Sequence, residues 1–138
     1  MRYDALAVGQ TAESSRTVGD AEIMAFAAVS GDYNPVHVDD AIAAASPFGG
    51  RIAHGLLSAS FISALLATEL PGPGAIYLSQ SLRFVRPVRI GDTVTTRVEI
   101  VELLPEKRRV RLRTTCRNQD ATVVLDGEAL VMVPGDSS

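Results

Sequence analysis

Residues 54–70 read HGLLSASFISALLATEL, and PGPG follows at 71–74. The run is longer than the ~4–8 residues of an ordinary strand, so its length favours a helix. Large apolar residues occupy nearly every side of it, with serine and alanine between them. A helix apolar all round is normally buried inside its domain. The prolines at 71 and 73 end it, because proline lacks the N–H and clashes with the preceding turn. Downstream the period changes. SQSLRFV (79–85), TVTTRVEIV (93–101), KRRVRLRTTCR (107–117) and TVVLDGEALVMV (122–133) alternate in the manner of strands. Val94, Thr96, Val98 and Ile100 share one face. Asn118-Gln119-Asp120 marks a hairpin turn. Strands joined by short turns make an antiparallel meander. Together with the buried helix they predict an α+β fold, an antiparallel sheet wrapped around a long central helix.

Upstream, TAESSRTV (11–18) reads as a first strand. Asp20 is the expected N-cap of a helix over 21–30, in which Ile23, Phe26, Ala27 and Ser30 follow the i, i+3, i+4, i+7 spacing. Gly31 ends that helix. Asp39 caps a short helix, DDAIAAAS, which Pro47, Gly49 and Gly50 break. GDSS at 135–138 reads as a frayed tail. At 138 residues the chain is expected to be one domain, 1–138, able to bury about two-thirds of its unfolded surface.

Composition excludes several roles. The net charge is −3 and there is no tryptophan, which argues against nucleic-acid binding by a basic face or a stacking platform. No run of about 18 uncharged apolar residues predicts a membrane span. MRYDALAVGQ lacks the basic and apolar regions of a signal peptide. The single cysteine, Cys116, excludes an internal disulfide and suits a reducing cytoplasm. It sits in an alternating strand as an ordinary strand residue.

The chemistry-bearing residues gather in GDYNPVHVD (31–39). Asp32 and His37 are five apart, and Pro35 between them restricts the loop. An Asp and a His that share one water form a general acid–base pair. The amide of Asn34 can orient either one. His54 opens the long helix and reads as a buried, hydrogen-bonded structural histidine. Gly55 follows it, where helix N–H groups lack internal partners and carry partial positive charge. Glycine there lets a ligand approach the backbone. Ser58, Ser60 and Ser63 read as small residues that permit close packing, with hydroxyls bonded to the preceding turn. Arg109, Arg111 and Arg113 alternate on what reads as a solvated sheet face. Arg83, Arg86 and Arg89 are either surface charge or a holder for an anionic group such as phosphate. Two histidines and one cysteine make no usual zinc set, and no phosphate or dinucleotide loop is present, so no cofactor and no metal are expected.

Taken together, GDYNPVHVD, RIAHGLLSASFISALL and YLSQSLRFVRPVRIGDTV resemble the MaoC-like (R)-specific enoyl-CoA hydratases, and most closely the short hydratases associated with polyhydroxyalkanoate precursor supply. The similarity runs from the opening VGQ to the last strand. G-D-x-N-P-x-H corresponds to that family's hydratase signature. The resemblance implies a hot-dog fold and a homodimer with its sheets joined edge to edge. It implies an acyl-CoA substrate, with Asp32 and His37 as the catalytic pair and Asn34 supporting them. It also implies that the Gly55 N–H serves the oxyanion, and that Ser63 lies near the acyl site. Arg86 is carried as a substrate-binding candidate. The competing expectations are a hot-dog acyl-CoA thioesterase, which would release free thiol, and a non-catalytic acyl-CoA-binding protein or partner subunit of a dehydratase.

Overall fold

The structure is a computed structural model that describes residues 1–134; the tail at 135–138 lies outside the described residues. In chain order the main elements are β1 (Thr11–Thr17), α1 (Asp20–Ser30), α2 (Pro35–Val38), α3 (Asp40–Ala45), α4 (Gly55–Thr68), β2 (Ile76–Gln80), β3 (Arg83–Phe84), β4 (Thr93–Leu104), β5 (Arg109–Arg117) and β6 (Val123–Met132). The strands form one antiparallel sheet in the order β1-β4-β5-β6-β2, with β3 also paired to β6. This is the α+β, hot-dog arrangement expected from the sequence.

The alternation in β4 does what its period demands. Val94, Thr96, Val98 and Ile100 are all buried, and α4 lies against this strand. Val110, Leu112 and Cys116 of β5 and Leu125, Ala129 and Val131 of β6 continue the same apolar layer. Ile62 of α4 reaches it with no exposed surface. Each buried valine, leucine or isoleucine of this layer contributes roughly 1.5–3 kcal/mol by leaving water. On the opposite face Arg111 lies 2.9 Å from Glu102 on β4 and 3.5 Å from Glu128 on β6. Arg111 and, through Asp126 at 3.8 Å, Arg113 therefore make cross-strand ion pairs on that face, whereas the Arg109 Nε is buried without a partner. The β5–β6 turn is built on Asn118, whose Oδ1 accepts from the N–H groups of Asp120 at 3.0 Å and Thr122 at 3.1 Å.

The structure corrects three expectations. The strand placed at 79–85 is two pieces, β2 and β3, separated at Ser81-Leu82. The Gln80 Nε2 donates to the Ser81 carbonyl at 2.8 Å and to Thr114 Oγ1 at 2.9 Å, so a side chain takes the place of a ladder bond there. The N-cap of α1 is Gly19 rather than Asp20. Its N–H donates to the Glu22 carboxylate at 3.0 Å, while Asp20 faces Arg51. The third concerns α4, which is not buried on every side. Leu57, Ser58, Ile62, Leu65 and Leu66 are covered, but Leu56, Ser60, Ser63, Ala64 and Ala67 form an exposed stripe. Among the described residues no helix is long and apolar enough to cross a membrane.

Candidate active site

α1 ends at Gly31, whose φ of 79° lies in the left-handed region that glycine enters without strain. The chain then turns through 32–34 into α2. Asp32 Oδ1 accepts from the Asn34 N–H at 3.1 Å, and Asn34 Oδ1 caps α2 by accepting from the Val36 N–H at 3.3 Å. Pro35 follows at the first helical position, where its missing N–H costs nothing. Asn34 thus acts on the backbone of the helix that carries His37. Asp39 then caps α3 through the Ile42 N–H at 3.0 Å.

Asp32 and His37 meet His54 and Gly55 at the mouth of an open cavity of about 400 Å³. Its walls are mostly apolar, including Phe26, Phe48, Phe84, Val88 and Leu125, and Arg86 also lines it. The His37 Nδ1 lies 2.8 Å from the Ile52 carbonyl oxygen. A carbonyl can only accept, so Nδ1 carries a proton and Nε2 of the neutral ring presents a lone pair. His54 is fixed the opposite way. Its Nε2–H donates to the Asp32 main-chain carbonyl at 2.9 Å, leaving Nδ1 as a buried acceptor without a partner. The two imidazoles stack at 4.0 Å between centroids, and Phe26 packs on His54 at 4.8 Å.

One carboxylate oxygen of Asp32 and one ring nitrogen each of His37 and His54 lie within 4.8 Å of one another. The fold therefore brings together a set that sequence spacing did not reveal. Neighbouring ligands in a tetrahedral zinc site, with bonds of about 2.0–2.1 Å, stand only ~3.3 Å apart. Two polar atoms bridged by one water, each hydrogen bond about 2.8 Å long, stand ~4.5 Å apart. Both spacings fall within the 4.8 Å bound.

Gly55 is the first residue of α4, so its N–H belongs to the unpartnered group at a helix N-terminus. The Phe84 ring lies directly on it: a Cβ at residue 55 would stand 2.5 Å from Phe84 Cε1 and 2.6 Å from Cδ1. Glycine is thus a packing requirement as well as a place for close approach. Ser60 bonds the Leu57 carbonyl at 2.5 Å, as expected, whereas the buried Ser58 hydroxyl lines the cavity without a partner. Ser63 sits two turns along α4 on the exposed stripe and does not line the cavity. Arg89 is engaged locally, donating to the Phe48 carbonyl.

Sequence reasoning missed Arg51. It is only 7% exposed, and its Nε donates to the His37 carbonyl at 2.6 Å while NH1 meets the Asp20 carboxylate at 2.7 Å. The available signal was a lone arginine placed between Gly49-Gly50 and an apolar segment.

The MaoC like domain model matches residues 5–124. The chain is 53% identical over 132 residues to a 3-hydroxybutyryl-CoA dehydratase of Methylorubrum extorquens, covering 96% of this chain and 83% of the relative. It is 52% identical to an (R)-specific enoyl-CoA hydratase of Rhodospirillum rubrum, over 96% of this chain and 91% of that protein. The solved (R)-hydratase of Aeromonas caviae, described as involved in PHA biosynthesis, superposes with a TM-score of 0.92 at 47% identity, over 94% of this chain and 98% of that one. The signature loop, the central helix and strands β1 to β5 all lie within residues 5–124, and the chain belongs to the MaoC-like domain family.

Proposed function

We propose that this protein is an (R)-specific enoyl-CoA hydratase, a hydro-lyase that adds water reversibly and syn across C2–C3 of a trans-2-enoyl-CoA to give the (R)-3-hydroxyacyl-CoA. The observation that carries this reading is the convergence of Asp32 and the His37 ring beside the N-terminus of α4, in one cavity. The thioester makes C3 electrophilic. The Asp32 carboxylate and His37 Nε2 hold a water between them. Its oxygen attacks C3 as the pair takes a proton, with Nε2 as the acceptor because Nδ1 is bound to Ile52. Charge moves onto the thioester oxygen as an enolate, and the Gly55 N–H stabilises it. The same pair then returns a proton to C2. Both transfers occur on one side of the double bond, so the addition is syn. The chemistry calls for neither a metal nor a redox cofactor.

Arg86, which lines the cavity, would meet an anionic part of CoA. The functional unit is a homodimer. Its support is the exposed stripe on α4 together with the edge strand β2, where Ile76, Tyr77 and Leu78 are all exposed. An uncovered apolar edge strand invites pairing. Ser63, on that stripe, would then face the partner protomer. With one free, buried cysteine the protein suits a reducing compartment such as the cytoplasm. Its product would feed polyhydroxyalkanoate synthesis.

The test follows the ultraviolet absorbance of crotonyl-CoA and a longer homologue, with a thiol reagent in parallel. Loss of conjugation without thiol release, abolished in His37→Ala, is the expected result. Thiol release would make the protein a thioesterase. Substrate binding without turnover would make it a binding or partner subunit. Sedimentation across a concentration series tests the dimer.

A further inference from the structure

We infer that Arg51 and His54 are positioning residues for the hydration, each gripping the main chain of one member of the reacting pair. This inference rests on the reading of Asp32 and His37 as that pair. A four-residue helix such as α2 has no stability of its own, and its last carbonyls lack helical partners. The segment 51–54 supplies them. The Arg51 Nε donates to the His37 carbonyl at 2.6 Å, and the Ile52 N–H donates to the Val36 carbonyl at 3.2 Å. The Ile52 carbonyl accepts from the His37 ring at 2.8 Å, and His54 Nε2 donates to the Asp32 carbonyl at 2.9 Å. Acid and base are thus referenced to a single short stretch of backbone, whose next residue is Gly55.

That stretch is itself anchored. The Ala53 N–H donates to the Val88 carbonyl at 2.7 Å, and the Ile90 N–H to the Arg51 carbonyl at 3.1 Å. The Arg51 guanidinium is tied to α1 through Asp20 at 2.7 Å and approaches Asp40 of α3 at 3.8 Å. Arg51 and His54 are 7% and 3% exposed, while Asp32 is exposed and His37 only partly covered. A rigid, buried template therefore holds an otherwise exposed pair. Their spacing sets whether one water can bridge them, and a misplacement of ~1 Å can cost about 100-fold in rate.

The variants that test this keep volume and remove the donor. His54→Phe preserves stacking on His37 but cannot bond Asp32. His54→Gln keeps an N–H near the Nε2 position. Arg51→Met removes the guanidinium's bonds to the His37 carbonyl and to Asp20, and Arg51→Lys retains a charge and a point donor but not the fork. The position of reacting groups matters in the transition state more than in substrate binding. With crotonyl-CoA we expect His54→Phe and Arg51→Met to lower kcat by ~100-fold with KM within about threefold of wild type. His54→Gln should recover about tenfold of that loss, and Arg51→Lys should fall between wild type and Arg51→Met.

Folded Phe and Met variants with unchanged kcat would overturn the inference, as would a rise in KM alone. Long-range proton–nitrogen NMR on the wild-type protein supplies a test that no variant's folding can spoil. It should find the proton on His54 Nε2 and on His37 Nδ1, and the opposite tautomer at either ring refutes the clamp. Asp32→Asn and His37→Ala, measured alongside, separate the two failures. If they hydrate normally, the catalytic pair is wrong. If they are inactive while the clamp variants keep kcat, only the clamp is wrong.

Discussion

Replacing Gly55 by alanine separates packing from chemistry at the N-terminus of α4. The new Cβ would stand 2.5 Å from Phe84 Cε1 and 2.6 Å from Cδ1. Carbon atoms in ordinary contact are about 3.5–4.0 Å apart, so the ring must move by ~1 Å. Phe84 is 55% exposed and has room to swing, which places the cost near the lower end of the roughly 1–3 kcal/mol of overpacking. Alanine returns up to ~1 kcal/mol over glycine in a helix. The net destabilisation is at most ~1 kcal/mol, or a fall of about 4 °C in Tm for a chain of this size. The effect on turnover is larger. On the proposed mechanism the methyl, standing where the Phe84 ring now packs, crowds the approach of the thioester oxygen to the Gly55 N–H. Losing one oxyanion donor costs about 10²–10³ in kcat. Steady-state hydration of crotonyl-CoA and thermal unfolding would be read on Gly55→Ala, Phe84→Ala and the double variant. Phe84→Ala relieves the overlap but leaves the methyl in place. If a displaced ring were the cause of the loss, the double variant would match Phe84→Ala. A double variant within about fivefold of Phe84→Ala would therefore refute the role of the N–H.

Asp32→Asn keeps an oxygen for the Asn34 N–H now held at 3.1 Å, so the loop stays folded. Hydration should fall by about 10²–10⁴ while Tm shifts by no more than ~2 °C; normal hydration by the folded variant would sink the assignment. Burial pushes the Cys116 thiol up, and the residue has no exposed surface. A disulfide-exchange reagent should label it only on unfolding, and prompt labelling of the native protein would contradict its placement. Tyr77 keeps part of its surface exposed, but partial desolvation still pushes its hydroxyl up to about 12. The unfolded phenol ionises near ~10, so the native state keeps its proton longer and Tyr77's contribution to stability, present below pH ~10, is lost as pH rises towards 12. Ultraviolet titration should show phenolate absorbance above pH ~11 that Tyr77→Phe lacks; identical curves would refute it.

Val94, Val98 and Ile100 were readable because strand pairing enforces a period of two, and a one-residue slip would turn every one of them to solvent. The division of β2 from β3 was not readable, because it depends on where the Gln80 side chain finds a carbonyl, and pattern carries no such information. Asp32, Asn34 and His37 could be singled out because one short loop holds them. Arg51 and His54 reach that loop from 14 and 22 residues away, through contacts that exist only once the sheet has placed 51–54 against 88–90. His54 was rightly expected to be buried and hydrogen-bonded. Sequence could not show that its partner is the backbone of Asp32 itself.

The sequence of α4 asks for burial on every side, yet one protomer covers only part of it. Leu56 is 55% exposed, and Ser60, Ser63, Ala64 and Ala67 continue its stripe along the helix. The serines and alanines of the stripe are small, which permits close approach of another backbone or sheet rather than a loose apolar contact. At the far side of the sheet, β2 leaves Ile76, Tyr77 and Leu78 exposed on an edge. Solvent would have to hydrate both surfaces in an isolated chain, at about 25 cal/mol for each Å² of apolar area. A second copy pairing along β2 would continue the sheet and remove its edge. The α4 stripe, which carries Ser63, is the second surface that a partner would have to cover. On this view the mismatch between the apolar helix and its half-covered state is a property of the protomer, and the proposed dimer is what resolves it.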